Sequence, residues 1–95
     1  MATTPENKVK KKVSAMLKEY GAYSFMPVQA GYGQPALDYY CCYKGWFLAV
    51  ETKAPGKKMT TRQQLTARQI TNAGGIVFCI DGSNYDVLEQ WLKDN

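Results

Sequence analysis

The sequence contains two runs of five residues in which every residue is apolar, Trp46–Val50 and Ile76–Ile80. A short apolar run bounded by turn residues is typical of a strand that is covered on both faces of a sheet. A membrane span needs about 20 apolar residues, so neither run predicts one and we expect no membrane partner. The whole chain has 95 residues, which is enough for one domain with a single modest core.

Hydrophobic spacing and turn residues predict the remaining elements around these two strands. In chain order, the expected elements are a helix capped by Thr3 or Thr4 and ended by Gly21, a strand at Tyr23–Val28, a loop at Ala30–Pro35, strands at Leu37–Tyr43 and Trp46–Lys53, a helix from Thr60 or Thr61 to about Ala73, a strand at Ile76–Ile80 and a helix capped by Ser83 with Asp86. This order of helix, three strands, helix, strand and helix predicts one α/β domain spanning residues 1–95, with a mixed sheet flanked by helices.

The second and third strands meet at Lys44-Gly45, which is a plausible tight hairpin turn. If the chain reverses symmetrically there, Asp38 faces Glu51, and Lys53 lies two residues further on the same side of its strand. Two opposed carboxylates repel each other, and a bound cation would remove the conflict. Because Mg²⁺ usually takes one or two carboxylates plus waters from a protein, the spacing indicates a magnesium site.

The same three charged residues allow a simpler interpretation in which nothing is bound. In that alternative, Lys53 forms salt bridges with both Asp38 and Glu51 at an exposed end of the sheet. The sequence geometry leaves both interpretations open.

The basic residues of the chain are clustered. Twelve Lys and Arg residues stand against eight acids, which gives a net charge of +4. Two clusters carry most of the excess: Lys8, Lys10, Lys11 and Lys12, and then Lys57, Lys58 and Arg62. Clustered positive charge favours a polyanion, most often a nucleic acid, although a charge run is also typical of a solvated face.

The cysteines predict a reduced protein without a zinc site. Cys41, Cys42 and Cys79 are odd in number, they form no CxxC pair, and the chain has no histidine. The N-terminus opens polar and then basic, which does not fit a secretory signal. We therefore expect a cytoplasmic protein in which the cysteines are small core or strand residues.

A longer pattern resembles a known family. Asp38, twelve intervening residues and then Glu51-Thr52-Lys53 has the form of the PD-(D/E)xK nuclease signature. The signature is followed by a basic loop up to Lys58, by Thr60 and Gln63, and by Gly74-Gly75 before an apolar strand. This continuation resembles the VRR-Nuc branch of the superfamily, which includes small standalone nucleases, many of them encoded by bacteriophages. The resemblance covers roughly the whole chain and implies a restriction-endonuclease-like fold.

The resemblance also implies roles for the residues of the signature. Asp38 and Glu51 would be metal ligands together with the main-chain carbonyl of Thr52, and Lys53 would be the catalytic lysine. The family often has a proline directly before the aspartate, whereas here Pro35 is separated from Asp38 by two residues. This departure concerns the loop that enters the strand and leaves the acid in place.

Two further residues match the family beside the site. Gln63 corresponds to the family's glutamine, with its neighbour Gln64 as a weaker candidate. On a helix Gln63 shares a side with Ile70, so we expect it to point toward the sheet. Glu6 corresponds to an acidic residue of the first helix that is often an additional ligand. Alternatively, Glu6 closes a capping box with Thr3 and is favoured by the helix dipole.

Taken together, these patterns predict a DNA endonuclease that depends on Mg²⁺, for which Mn²⁺ can substitute. The first helix and the Lys57–Arg62 segment would hold the DNA backbone. Phosphate contacts fix position without reading sequence, so a branched substrate such as a Holliday junction or a flap is expected. The apolar Leu65 on the outer side of its helix, the abundant tyrosines and the resembling family point to a homodimer.

Two rival functions remain at this level. The chain could be a non-catalytic nucleic-acid-binding module that retains the nuclease fold, or a structural protein whose acids and lysine are simply paired. Binding alone does not need opposed carboxylates, which favours the nuclease.

Overall fold

The computed structural model describes residues 3–28 and 35–95. Its elements are α1 (Pro5–Glu19), β1 (Tyr23–Phe25), β2 (Tyr39–Tyr43), β3 (Trp46–Thr52), α2 (Thr61–Asn72), β4 (Ile76–Ile80) and α3 (Tyr85–Asp94). The predicted order of helix, three strands, helix, strand and helix is confirmed. The loop predicted at Ala30–Pro35 lies outside the described residues except for Pro35.

The four strands form one mixed sheet in the order β1-β2-β3-β4. The first three strands are antiparallel neighbours, and β4 runs parallel to β3. A parallel neighbour needs a crossover connection, and α2 supplies it. The predicted α/β class and the mixed sheet are therefore confirmed.

The hairpin between β2 and β3 turns at Lys44-Gly45, as predicted. Both residues have positive φ, at 50° and 87°, as the tight type I′ turn requires. The turn sets the register, because Tyr43 pairs with Trp46 and Tyr39 pairs with Val50. One step beyond that last pair, Asp38 comes opposite Glu51.

Helices cover both faces of the sheet and create two apolar clusters. On one face, α1 and α3 pack their buried residues, including Val13, Leu17 and Leu88, against the sheet. On the other face, Ala67 of α2 packs with Leu37 and Ala49. The helices are thus placed as predicted, on both sides of the strands.

Three local predictions were wrong in detail. β1 ends at Phe25 and does not reach Val28, because Pro27 has no amide hydrogen for the ladder. Trp46 and Phe47 are 42% and 47% exposed, so the helices cover β3 only from Leu48 onward.

The third wrong detail is the start of α3. Asn84 is the N-cap residue, and the capping box predicted for Ser83 and Asp86 does not form. The Ser83 hydroxyl donates instead to Asp81 Oδ1 at 2.6 Å, in a tight turn that also uses the Ser83 amide. Asn84 ties this turn to β4, because its side-chain amide donates to the Cys79 carbonyl.

Within residues 3–28 and 35–95, no helix combines the length and the apolar character that crossing a membrane demands.

Candidate active site

Asp38 and Glu51 are neighbours at the end of the hairpin that lies opposite its turn. The Asp38 amide donates a hydrogen bond to Glu51 Oε1 at 3.1 Å. This contact lies one step beyond the last β2–β3 pair, Tyr39 with Val50, and it places Asp38 against the Glu51 carboxylate closely enough for their charges to interact. The opposition predicted from the symmetric turn is confirmed.

Thr52 holds the carboxylate of Asp38. Its amide and its hydroxyl both donate to Asp38 Oδ2, at 3.0 and 2.6 Å. Thr52 is fully buried, so these two hydrogen bonds hold the Asp38 carboxylate against the end of β3. The family resemblance assigns a role in metal binding only to the Thr52 carbonyl, and that role stays a prediction. Nothing in the sequence distinguishes this hydroxyl from those of the other threonines.

Glu51 is a buried acid with an altered affinity for protons. Glu51 is 3% exposed, and its Oε2 accepts a hydrogen bond from the side-chain amide of Gln63 at 3.0 Å. Burial is the main cause that raises the pKa of Glu51 to about 7, and the negative charge of Asp38 raises it further. The ammonium of Lys53 acts in the opposite direction but does not cancel the desolvation.

Lys53 follows β3 directly and reaches the same carboxylate. Its ammonium lies 3.5 Å from Glu51 Oε2, and its side chain is only 13% exposed. The alternative drawn from the sequence had Lys53 pairing with both acids at an exposed sheet end. Among the described residues Lys53 pairs with Glu51 alone, and at this end of the sheet Glu51 and Thr52 are buried while Asp38 and Lys53 are half-buried.

Gln63 joins the start of α2 to the site. Its side-chain oxygen accepts a hydrogen bond from the Thr60 main-chain amide at 2.9 Å. In return, the Gln63 main-chain amide donates a hydrogen bond to the Thr60 hydroxyl. The other end of the side chain donates to Glu51, so one residue both caps the helix and orients the acid. The predicted inward direction of Gln63 is confirmed. Gln64 instead donates to the Met59 carbonyl, and its residue is exposed.

Cys79 is a neighbour of the site that the sequence did not indicate. It pairs with Glu51 across the parallel β3–β4 ladder. Burial raises the pKa of the Cys79 thiol, and the charge of Glu51 adds to this, so the neutral thiol is favoured. The parallel register, which no local pattern encodes, is what places this residue here.

Glu6 lies in the first turn of α1 and pairs with Lys10 at 3.5 Å. Thr4 caps the helix by accepting from the Asn7 amide, so the capping box suggested for Glu6 with Thr3 does not form. In residues 3–28 and 35–95, no group of three or more His, Cys, Asp or Glu side chains is arranged to hold a metal ion. The tentative role of Glu6 as a ligand stays a prediction.

The two carboxylates nevertheless retain room for a hard cation. A carboxylate oxygen accepts about two hydrogen bonds. Thr52 fills both places on Asp38 Oδ2, whereas Asp38 Oδ1 receives no hydrogen bond from the part of the chain that the structure describes. Glu51 Oε1 receives one, from the Asp38 amide. Carboxylate oxygens with such open places are the kind of ligand that Mg²⁺ prefers.

The predicted DNA-binding residues occupy two exposed regions. Lys57 and Lys58 lie in the loop after Lys53, and Arg62 is in the first turn of α2. The cluster of Lys8, Lys10, Lys11 and Lys12 lies in α1. In residues 3–28 and 35–95, no hydrogen bond or ion pair joins either region to Asp38 or Glu51.

Comparison with known proteins identified no relative of this chain. No family model matches the chain, and no curated protein matches it. The resemblance to the nuclease family therefore rests on the residues of the chain alone.

Proposed function

We propose that this protein is a Mg²⁺-dependent DNA endonuclease with a restriction-endonuclease-like fold, of the VRR-Nuc type. One observation carries the proposal: Asp38 lies against the buried Glu51 carboxylate at one end of the sheet, with the Lys53 ammonium 3.5 Å from Glu51. The mixed sheet with helices on both faces is compatible with that fold.

The residues of the site would divide the work of phosphodiester hydrolysis. Asp38, Glu51 and the Thr52 carbonyl would hold Mg²⁺, and Mn²⁺ would substitute. When bound, the metal supplies positive charge that activates a water and polarises the phosphate. Lys53 stabilises the negative charge that develops on the phosphate, because its buried ammonium is already held in place. Gln63 keeps Glu51 oriented through its hydrogen bond.

The electrostatics of Glu51 favour this interpretation over charge pairing for stability alone. An ion pair that served stability would lower the pKa of its acid, whereas the pKa of Glu51 is raised to about 7. Burial is the largest cause of that rise and the charge of Asp38 is the second, and the charge of Lys53 offsets them only in part. A divalent cation would supply what the single Lys53 does not.

The proposed substrate is branched DNA, such as a Holliday junction or a flap. The basic residues offered to the backbone are exposed lysines and Arg62, which contact phosphates and carry no sequence information. Selectivity would then come from the shape of the DNA.

A nicking assay tests the proposal against its rivals. The protein is incubated with a labelled four-way junction, a flap and a linear duplex, each with Mg²⁺, Mn²⁺ or a chelator. The proposal expects cleavage of a branched substrate with either metal and none with the chelator. Binding without metal-dependent products would identify a non-catalytic binding module, and neither binding nor cleavage would leave the structural role.

We also propose that the protein acts as a homodimer, because two symmetric cuts need two sites. Leu65 is 52% exposed on the outer side of α2, and Tyr23 is 74% exposed at the sheet edge. These side chains offer apolar surface to a second copy. Sedimentation at micromolar concentration is expected to give twice the chain mass of 10.7 kDa. A species of single mass that fully cleaves junctions would refute the dimer.

A further inference from the structure

Two troughs run along α1, on either side of its buried stripe, and they differ in charge. The first, here called the lysine trough, lies between α1 and the β1 edge. It consists of two adjoining hollows that share Ser14: one is lined on the helix by Asn7, Lys10 and Lys11, and the other by Lys18. The second, here called the acidic trough, lies between α1 and α3. Its charged lining residues are Lys12, Glu19, Asp86 and Glu89.

The charge difference is large for a single helix. The lysine trough has three lysines and no carboxylate among its lining residues. The acidic trough has three carboxylates and one lysine, and that lysine is already engaged, because the Lys12 ammonium lies 5.1 Å from the centre of the Tyr85 ring. A polyanion is therefore attracted to one side of α1 and repelled from the other.

Helical geometry explains why a single run of lysines divides in this way. At about 100° per residue, Lys11 and Lys18 point in nearly the same direction, while Lys8 lies about 60° and Lys12 about 100° from Lys11, on the side of the helix away from Asn7 and Ser14. Lys10 also lines the lysine trough, but its charge is partly offset by Glu6 at 3.5 Å. Lys11 and Lys18 thus supply the exposed positive charge of that trough.

The wall of the lysine trough is polar and firmly placed. The Tyr39 hydroxyl donates to the Lys10 carbonyl at 3.0 Å and is hydrogen bonded to the Ser14 hydroxyl at 2.7 Å. Tyr39 directly follows Asp38, and because successive side chains of a strand point to opposite faces, the trough lies on the α1 face of the sheet while the Glu51 carboxylate lies on the α2 face. From Asn7 to Lys18 the trough is roughly 16 Å long, which matches the rise of about five nucleotides in one DNA strand.

From these observations we infer that the lysine trough, through Lys11 and Lys18, binds the phosphodiester backbone of the DNA that flanks the cleavage site. This inference rests on the proposed nuclease function and makes it more specific. It adds Lys18 to the predicted DNA-binding residues and removes Lys8 and Lys12 from direct contact with the backbone.

Two double variants with the same charge change test the inference. Lys11→Ala with Lys18→Ala removes two charges from the lysine trough, and Lys8→Ala with Lys12→Ala removes two charges from elsewhere on the same helix. Alanine favours helix, so neither pair is expected to unfold α1, and thermal melts check this. Affinity for a labelled four-way junction is measured in a chelator at several salt concentrations.

We expect the Lys11/Lys18 variant to lose at least about tenfold in affinity at 0.1 M salt, and its salt slope to fall by about two. The Lys8/Lys12 variant is expected to stay within about twofold to threefold of the wild type, with a nearly unchanged slope. Equal losses in the two variants, or a larger loss in Lys8/Lys12, would overturn the inference.

Cleavage by the wild-type protein with Mg²⁺ separates this inference from the function on which it rests. If the wild type cleaves but both variants lose affinity equally, the nuclease proposal stands and the trough is wrong. If only the Lys11/Lys18 variant loses affinity and no DNA is ever cleaved, the trough is right and the nuclease proposal is wrong. A wild type that neither binds nor cleaves would reject both.

Discussion

The two ends of the β2–β3 hairpin are built on opposite principles. At the turn end, Trp46 and Phe47 are large apolar residues that remain 42% and 47% exposed. At the other end, Glu51 is 3% exposed, and the Lys53 side chain is 13% exposed. One pair of strands therefore exposes apolar surface at one end and buries charge at the other.

A hairpin that served stability alone would show the reverse arrangement. Burying a large apolar side chain is worth about 1.5–3 kcal/mol, whereas taking an ionised group out of water costs several kcal/mol. A buried polar group is more informative than an exposed apolar one, because most protein surfaces contain some apolar area. The buried charge is the feature of the hairpin that stability alone does not explain and that the proposed metal site would explain.

The largest expected effect comes from Asp38→Asn at the charged end. The change removes a ligand charge and leaves the shape, so DNA cleavage is expected to fall about a thousandfold or more. Folding and DNA binding should persist, and the metal-free protein is expected to gain stability because the repulsion with Glu51 is relieved. Asp86→Asn on α3 is the matched control and should cleave normally. Cleavage by Asp38→Asn at the wild-type rate would contradict the ligand assignment.

Lys53→Met tests the second charge of that end. Methionine keeps an unbranched apolar stem and removes the ammonium, so turnover is expected to fall about a hundredfold to a thousandfold while the fold survives. Lys93→Met on α3 serves as the control in the same cleavage assay. If the Lys53 variant unfolds and Mg²⁺ does not restore it, the simple charge-pairing alternative is correct.

The pH dependence of stability probes the burial of Glu51 directly. In the unfolded chain this carboxyl titrates near its ordinary pKa of 4.5, and in the folded protein its pKa is raised to about 7. Between these values the folded state binds more protons, so its stability falls as the pH rises and levels off above about 7. The loss amounts to about 3 kcal/mol without metal.

Denaturant unfolding in a chelator, from pH 4.5 to 8, measures this loss. Glu51→Gln cannot titrate, so the difference in unfolding free energy between the variant and the wild type should change with pH in that window. Mg²⁺ should restore wild-type stability above pH 7 but not that of the variant. A constant difference across the window would show that Glu51 is not buried as an acid.

The smallest effect is expected at the turn end. Phe47 contacts Tyr40, with ring centres 5.6 Å apart, and its other surface is partly exposed. Phe47→Thr keeps a good strand former and should cost about 1 kcal/mol of unfolding free energy, with cleavage unchanged. A loss of cleavage comparable to that of Lys53→Met would remove the contrast between the two ends.

Local patterns were sufficient to predict the hairpin and its charged end. A tight turn at Lys44-Gly45 sets the register of both strands. The same register, counted back from the turn, places Asp38 beside Glu51. The strand Ile76–Ile80 and a helix cap at Thr60 or Thr61, which the structure places at Thr60, were predicted for the same reason, since each depends on residues close in sequence. The direction of Gln63 followed from helical periodicity alone.

Contacts between distant segments were decided only by the tertiary structure. The parallel ladder, which brings Cys79 beside Glu51, depends on how α2 returns the chain to the sheet. The two hydrogen bonds from Thr52 to Asp38 form only when the end of β3 lies beside the start of β2. The lysine run of α1 acquires two different electrostatic surroundings because β1 lies on one side of the helix and α3 on the other. The spacing of residues along the chain determines in which direction a side chain points. The charges near that side chain belong to elements that are distant in sequence and are brought together only by packing.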